Sequence, residues 1–459
     1  MSAIPKTPNQ GSNRESKRSL EFDQDSCQAM FDNRVDDGVF RVDRSIYTDP
    51  DLFDAEMERI FEGTWIFVAH ESQFPNTGDY VTTRMGRQPV IISRNNEGHI
   101  RGFVNACAHR GASLCHRQTG NLKFFVCGYH GWSYDLDGTL RYVFRENDGY
   151  REPLDREDFS LTVVPRIESY RGFVFASLNP DVLELKDHLQ GAAKMIDMVV
   201  DQSDHGFEVV RGNSTCFYRG NWKLLVENGG ADMLHPDFVH ATLGEIAARK
   251  QRDGAEVHTM QFDSIQDLPG SSYGLRNGHT ASWYAFQNPE DRPIYAHRQD
   301  LENQFGEDYA RWIWGNFRVM TTYPNMNLID HVAVCLRHIK PVATDLTEVT
   351  MYCIVPKDAT PEERIYRLRQ FEEFYTVSGL GAPDDHAMFD QCQEAAHGYS
   401  ARYSDNSYGL FDRLSEPDME ASKIGLNVAH GNRVGYEGTT IEQYNAWLTL
   451  MTNGAETLY

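Results

Sequence analysis

Between Trp65 and about Leu178, short hydrophobic runs alternate with turn residues. β-branched and aromatic residues are concentrated in Tyr80–Thr83, Pro89–Ser93 and Ile100–Val104, and Asn/Gly-rich or Asp-Gly turn sequences separate such segments. This spacing is typical of short antiparallel strands joined by tight turns. We therefore predict a compact all-β module over residues 65–178.

Beyond residue 178 the hydrophobic positions follow a helical period in some segments and a strand period in others. The helical segments are Leu183–Val200, Asn221–His235, Pro361–Val377, Asp384–Ala395 and Thr440–Met451. The strand-like segments are Phe207–Tyr218, Val319–Tyr323, His331–Ile339 and Glu348–Ile354. Residues 179–459 are therefore predicted to form a larger α+β domain.

Two segments precede the β module. Residues 1–38 are polar and lack a sustained period, which predicts an arm that is disordered or wraps a partner chain. Asp49–Gly63 has the apolar side of a short helix, so residues 39–64 are assigned as a helical segment of the larger domain. The predicted fold class is α+β.

Composition excludes several classes of protein. Lys and Arg number 44 against 67 Asp and Glu, a net charge of −23, which argues against binding nucleic acid or anionic lipid. No apolar run reaches about 18 residues, and the N-terminus has no apolar signal segment, so we expect a cytoplasmic protein without a membrane span. The eight dispersed cysteines do not indicate a disulfide framework, so those near histidines are candidate metal ligands.

The first candidate metal site is the pattern Cys107-Ala-His109, seventeen residues, Cys127-Gly-Tyr-His130. Each half places one thiolate and one imidazole in a loop of the β module. A [2Fe–2S] cluster with two Cys on one iron and two His on the other needs this ligand set. A structural zinc site is the alternative, although zinc loops usually contain C-x₂₋₄-C.

The second candidate site lies in the segment that ends at His240. Asp232 and His235 are three residues apart and are expected on one face of a helix, which Pro236 should kink or end. His235 and His240, with one carboxylate from elsewhere, would form the facial triad of non-haem Fe(II) oxygenases. Surface or helix-capping histidines are the alternative.

These two patterns together resemble the large (α) subunit of Rieske ring-hydroxylating dioxygenases, from about Asp37 to the C-terminus. Asn228-x₃-Asp232-x₂-His235-x₄-His240 matches the family's iron motif. The resemblance implies an all-β Rieske domain, and a catalytic domain with an antiparallel sheet surrounded by helices. It also implies catalytic roles for Asn228 and Asp232, the latter linking His235 to a neighbouring subunit's cluster. The implied third iron ligand is Asp385, with Asp384 as the alternative and His386 as a weaker one.

Residues 283–393 are similar to the benzoate, toluate and anthranilate subgroup, for example in Asn288–Tyr295 and Thr347–Ile354. The resemblance implies a terminal oxygenase that cis-dihydroxylates an aromatic ring, expected to be an aromatic carboxylate, with dioxygen and an NAD(P)H-dependent reductase, with or without a ferredoxin. A monooxygenase or demethylase on the same scaffold, and a Rieske electron carrier, are the alternatives. The implied assembly is a homotrimer or α₃β₃. We expect pocket walls near Met320, Asn325, Asn327 and Phe371, and substrate-pairing arginines at Arg276 or Arg318.

Overall fold

The computed structural model describes residues 22–254, 265–398, 400–412 and 418–454. In the first part of the chain the strands are β1 (Phe31–Arg34), β2 (Val39–Asp43), β3 (Ile66–His70), β4 (Asp79–Met85), β5 (Gln88–Arg94), β6 (Ile100–Val104), β7 (Thr119–Asn121), β8 (Phe125–Val126), β9 (Ser133–Tyr134), β10 (Leu140–Tyr142), β11 (Arg166–Tyr170) and β12 (Phe173–Ser177). The helices of this part are α1 (Gln24–Gln28), α2 (Pro50–Glu56), which a π-helical turn extends, and α3 (Glu146–Gly149).

The second part contains most of the helices. They are α4 (Leu185–Leu189), α5 (Gly191–Val200), α6 (Trp222–Asn228), α7 (Pro236–Val239), α8 (Ala241–Arg252), α9 (Arg298–Phe305), α10 (Glu307–Gly315), α11 (Pro361–Phe374), α12 (Ala382–Ala396), α13 (Met419–Lys423) and α14 (Thr440–Thr452). Its strands are β13 (Phe207–Val209), β14 (Ser214–Tyr218), β15 (Gly270–Gly274), β16 (Thr280–Ala285), β17 (Asn316–Thr322), β18 (Met326–Asp330), β19 (Val334–Ala343), β20 (Leu346–Pro356), β21 (Tyr403–Asp405) and β22 (His430–Arg433).

The predicted all-β module consists of three small antiparallel sheets, in the orders β6-β5-β4-β7, β10-β9-β8 and β11-β12-β3. A hydrophobic core of its own lies beneath the loops that carry Cys107 and Cys127, with Phe103, Phe125 and Tyr134 among its members. Strands β3 and β12 are buried at every position and join the core of the second part instead. The module is therefore held both by its own core and by contact with the second part.

The second part is organised around a nine-stranded antiparallel sheet, in the order β13-β20-β19-β18-β17-β16-β15-β22, with β14 paired to β20. One face of the sheet carries Thr321 and Asn327, which bond to backbone oxygens of α6 and the loop after it. The other face carries Arg318 and Asp330, beneath α5 and α10. Helices thus cover both faces, which explains why every position of β17 and β18 is buried.

Three element predictions are wrong in part. The helix predicted over Asn221–His235 ends at Asn228. The one predicted over Leu183–Val200 is two helices, because Gln190 has a φ of +46° between them. Of the predicted N-terminal arm, residues 1–21 lie outside the described residues, whereas residues 22–38 contain α1 and β1, which pairs with β2. Among the described residues, no helix is long and apolar enough to cross a lipid bilayer.

Candidate metal centres

The two loops with the Cys-His pairs repeat one hydrogen-bond pattern. In the first, Cys107 N–H donates to the carbonyl oxygen of Ala112 at 2.9 Å. In the second, Cys127 N–H donates to the carbonyl oxygen of Trp132, also five residues on, at 2.8 Å. A glycine whose backbone is left-handed closes each loop and donates its N–H back to the cysteine carbonyl: Gly111 (φ +73°) and Gly131 (φ +71°). The structure therefore builds two matching ligand loops.

The sulfur atoms lie inside these loops and the imidazoles outside. Cys107 and Cys127 are buried, whereas His109 and His130 are partly exposed, with ring centroids 4.6 Å apart. Trp132 stacks on His109 at 4.8 Å with an interplanar angle of 4°, which fixes the orientation of that imidazole. The two sulfurs are therefore enclosed by the protein, and the two imidazole side chains lie at the surface of the module.

The chemistry of these four residues fits a two-iron cluster. Burial raises the pKa of the Cys107 thiol, the neighbouring Cys127 thiol raises it further, and the Tyr134 hydroxyl 3.1 Å from Sγ lowers it. A bound cation would stabilise both thiolates. Nδ1 of His109 is buried and has no hydrogen-bond partner among the described residues, which leaves it for a metal.

A single zinc ion fits these residues less well. Zinc bonds of about 2.0–2.3 Å bring all four ligand atoms close to one another. Among the described residues, only His235, His240 and Asp385 bring three metal-ligating atoms within 4.8 Å of one another, and the two Cys-His loops do not. Ligands spread over a longer distance agree with two metal ions bridged by sulfide.

The second centre begins in the loop that follows α6. Helix α6 follows the N-cap Asn221 and ends at Asn228, and at the next two residues, Gly229 and Gly230, the chain lies directly on the sheet. A Cβ on Gly229 would come within 2.7 Å of the Asn327 side chain, and a Cβ on Gly230 within 2.6 Å of Thr280 Oγ1. These two glycines are thus required by close approach and not by the helix. The loop they begin carries Asp232 and His235.

Asp232 organises this loop without lying on a helix, contrary to the prediction. Its Oδ1 accepts hydrogen bonds from the backbone N–H groups of Leu234 at 2.9 Å and His235 at 3.1 Å. Its Oδ2 lies 3.2 Å from Nδ1 of His235. Burial raises the pKa of Asp232, but His235 and these backbone donors lower it below the ordinary value, so the group accepts as a carboxylate. Pro236 then begins α7.

His235, His240 and Asp385 converge from three segments. Oδ1 of Asp385, near the start of α12, lies 3.3 Å from Nε2 of His240 and 3.6 Å from Nε2 of His235. This oxygen is buried and has no hydrogen-bond partner among the described residues. Burial raises the pKa of Asp385, but His240 and His235 lower it to about 2. A buried carboxylate that faces two imidazole nitrogens is the ligand set of a non-haem iron site.

The two alternatives to Asp385 point elsewhere. Asp384 is half-buried and is outside the group of three, and α12 has Gly381 as its N-cap, so Asp384 does not cap the helix. His386 stacks on Tyr218 at 5.4 Å, and its Nδ1 lies 3.8 Å from Sγ of Cys216. Geometry therefore favours Asp385.

A cavity opens onto these three residues. The amide nitrogen of Asn228 is at its wall, 3.2 Å from Nε2 of His235. The remaining walls that the structure describes are mostly apolar or aromatic, with one cationic residue: Gly229, Met233, Pro236, Ile265, Tyr284, Phe317, Val319, Ile329, Arg337, Phe374 and Tyr375.

The residues expected from sequence as pocket walls or carboxylate partners do not line this cavity. Asn325 bonds instead to both backbone groups of Phe67 in β3, at 2.8 Å each. Arg276 is an exposed turn residue, and Arg318 is buried in an ion pair with Asp330 on the other face of the sheet. Met320 is on the same face as Arg318, and the side-chain amide of Asn327 donates a hydrogen bond to the carbonyl oxygen of Gly229. Phe371 was expected at the cavity, but Phe374 and Tyr375 line it instead.

Comparison with known families agrees with both centres. Residues 64–151 match the Rieske [2Fe-2S] domain, and residues 197–427 match the catalytic domain of the ring-hydroxylating α subunit. Two metal centres of this kind in one chain define a Rieske non-haem iron oxygenase, whose cofactors are a [2Fe–2S] cluster and a mononuclear iron.

The chain belongs to the family of ring-hydroxylating dioxygenase large (α) subunits and is an oxidoreductase. It is 42% identical to the toluate 1,2-dioxygenase α subunit of Pseudomonas putida, covering 92% of this chain and 93% of the relative. It is 40% identical to the 2-halobenzoate 1,2-dioxygenase large subunit of Burkholderia cepacia, with 91% of each covered. The anthranilate 1,2-dioxygenase large subunit of Acinetobacter baylyi is 37% identical, with 95% of each covered.

Solved structures show the same fold. Naphthalene 1,2-dioxygenase from Rhodococcus sp. bound to indole superimposes with a TM-score of 0.79 at 27% identity, covering 90% of this chain and 94% of that one. A quaternary ammonium Rieske monooxygenase shares the fold with a TM-score of 0.66 at 18% identity, covering 93% of this chain and 98% of that one. The monooxygenase likeness concerns the fold alone, whereas the relatives at 37–42% identity are dioxygenases.

Proposed function

We propose that this chain is the oxygenase component that cis-dihydroxylates the ring of an aromatic carboxylate, with electrons from an NAD(P)H-dependent reductase, with or without a ferredoxin. The observation that carries the proposal is the cavity that joins His235, His240 and Asp385 to aromatic and aliphatic walls. The relatives named for toluate, 2-halobenzoate and anthranilate support the choice of an aromatic acid.

Within this proposal, Cys107, His109, Cys127 and His130 hold the [2Fe–2S] cluster. His235, His240 and Asp385 hold the mononuclear iron, supported by the unpartnered Oδ1 that faces both Nε2 atoms. When bound, the cluster supplies single electrons and the iron supplies the site where dioxygen is activated beside the ring.

The protein positions these groups. Nδ1–H of His235 donates to the carboxylate of Asp232, which fixes the tautomer and leaves Nε2 for the metal. The amide of Asn228 lies against the same imidazole and limits its rotation. The apolar walls exclude water and hold an aromatic ring.

We also propose that electrons cross between subunits, in a homotrimer or an α₃β₃ assembly. The support is exposure: His109 and His130 reach the surface of the Rieske module, and Asp232 is partly exposed beside His235. A carboxylate that contacts a metal-bound imidazole on each side of an interface offers a short bonded path. Mass measurement of the native particle, expressed with and without a small β subunit, tests the stoichiometry.

The test of the reaction is product analysis with purified protein, reductase and ¹⁸O₂. We expect benzoate, a toluate, anthranilate or a 2-halobenzoate to give a product with two ¹⁸O atoms on adjacent ring carbons. A product with one ¹⁸O, or with a methyl group removed, would assign monooxygenation or demethylation instead. If only neutral aromatic compounds were turned over, the proposal of an aromatic carboxylate substrate would be wrong.

A further inference from the structure

Arg337 is the one arginine among the described residues that line the cavity. It lies on β19, where it is paired with Asn327 on β18 and Met351 on β20. Its side chain is 5% exposed. The register puts it on the sheet face that also carries Val319 and Ile329, which are cavity walls.

Other buried arginines of the second part have partners within the protein. Arg292 and Arg318 both pair with Asp330, and Arg367 donates to the carbonyl oxygen of Val332 at 3.0 Å. Among the described residues, by contrast, Arg337 has no carboxylate within ion-pairing distance, and its one side-chain hydrogen-bond contact is the Cys335 thiol. A buried guanidinium without an anion is costly, which indicates that the anion comes from outside the chain.

A second polar group of the cavity also lacks a partner. Tyr375 is 1% exposed and lines the cavity, and its hydroxyl has no hydrogen-bond partner among the described residues. Burial raises the pKa of Tyr375, and the positive charge of Arg337 opposes this rise, so the two side chains are electrostatically close. One cation and one neutral O–H donor beside an apolar cavity form a site for a carboxylate.

We propose that Arg337 and Tyr375 bind the carboxylate of the substrate and so determine specificity for aromatic acids. This inference rests on the proposed function, because it assigns the residues that recognise the substrate class. The guanidinium forms the charge-assisted pair and the Tyr375 hydroxyl donates to the same group. The ring then lies among the apolar walls, with its reacting carbons toward His235, His240 and Asp385.

A competing role for Arg337 is purely electrostatic. Its charge also contributes to lowering the pKa of Asp385, after the larger effects of His240 and His235. If that were its function, removing the charge would weaken metal binding and would affect acidic and neutral substrates equally. The two roles therefore differ in iron content and in the ratio of the two substrate classes.

The experiment compares Arg337→Met, Arg337→Lys and Tyr375→Phe in the iron-loaded holoenzyme. Equilibrium binding of benzoate and of neutral benzamide is measured by calorimetry without oxygen, beside iron content and turnover of both compounds. For Arg337→Met we expect benzoate affinity to fall on the order of 100-fold and benzamide affinity to change by less than about threefold. The benzoate affinity of Arg337→Lys should lie between those of Arg337→Met and the unmutated protein, because a lysine keeps the charge but lacks the planar guanidinium group. In Tyr375→Phe, benzoate affinity should fall about fivefold, because one hydrogen bond is lost.

Arg276→Met is the matched control, because it removes an exposed arginine of the same domain, and it should leave both affinities unchanged. The inference is overturned if Arg337→Met binds benzoate as tightly as the unmutated protein, or loses iron, or weakens both ligands equally. If the unmutated protein binds benzamide but no aromatic acid, including a toluate, anthranilate and a 2-halobenzoate, the substrate class itself is wrong and the inference falls with it.

Discussion

The proposed ligands of the Rieske cluster lie between residues 107 and 130, in two loops with the same backbone hydrogen bonds. Those proposed for the iron come from a loop after α6, the end of α7 and the start of α12, and they meet beside one face of the nine-stranded sheet. Local turns thus hold the first centre, whereas packing between distant segments holds the second. We therefore expect the first centre to form mainly through contacts within its own module, and the second to require the packing of the catalytic domain.

The largest expected effect separates the two centres from the iron side. We expect Asp385→Ala or His235→Ala to reduce iron from about three to about two atoms per chain and to abolish oxygenation, while the Rieske electron paramagnetic resonance signal stays unchanged. The reason is that the two remaining ligands do not hold Fe(II). Asp384→Ala, on the same turn of α12, is the control and should keep about three iron atoms per chain. If Asp384→Ala lost one iron and Asp385→Ala kept all three, the proposed third ligand would be wrong.

The converse experiment acts on the cluster. Cys127→Ser should lose the Rieske signal and all NAD(P)H-dependent turnover, yet keep about one iron per chain, because the walls of the iron cavity belong to the other hydrophobic core. Cys115→Ser changes a buried cysteine between the two loops and should keep the cluster. Loss of the mononuclear iron in Cys127→Ser would show that the centres do not form independently.

A smaller effect concerns the connection between the centres. Asp232→Asn keeps the shape of the side chain but removes the charge that faces Nδ1 of His235 at 3.2 Å. We expect both metals to remain, with reoxidation of the reduced cluster slowed about 10- to 100-fold in single turnover with substrate and oxygen. Asp384→Asn, at a position outside the group formed by His235, His240 and Asp385, should keep the normal rate. An unchanged rate for Asp232→Asn would exclude the connecting role.

The smallest predicted effect is on the pH dependence of stability. It concerns the buried contact between the end of α6 and two distant segments of the chain. Glu227, at the end of α6, accepts hydrogen bonds from Tyr47 at 2.9 Å and from Tyr444 on α14. Burial raises the pKa of Glu227 to about 7, despite these donors. The folded protein therefore holds a proton that the unfolded chain releases near the ordinary value, so stability falls as pH rises from about 4.5 to 7.

We expect Glu227→Gln to reduce the fall of the holoenzyme's melting temperature between pH 5 and 7.5. Glu437, whose pKa burial also raises to about 7, should maintain part of the slope. Glu97→Gln, an exposed glutamate of the Rieske module, is the control and should not change it. An unaltered slope in Glu227→Gln would mean that this carboxyl does not titrate in the range.

The same contrast explains what could be predicted from the sequence. The Cys-His loops are visible in the spacing, because neighbouring residues form them. Asp385 required the family resemblance, since no local pattern connects it to His235. The helix over Asn221–His235 was overextended because apolar residues continue past Asn228, although Gly229-Gly230 was a signal for its end. Arg337 was missed because only the register of β19 shows which strand arginine faces the cavity.

The approach of Asp385 Oδ1 to within 3.3 and 3.6 Å of two imidazoles from other segments has a thermodynamic consequence. An ion bound there ties together elements far apart in the chain, so it acts as a reversible crosslink. By mass action, each tenfold excess of free metal over its dissociation constant adds about 1.4 kcal/mol to the stability of the folded state. The catalytic domain should thus be more resistant to proteolysis when loaded, and iron supply would govern the lifetime of the chain as well as its activity.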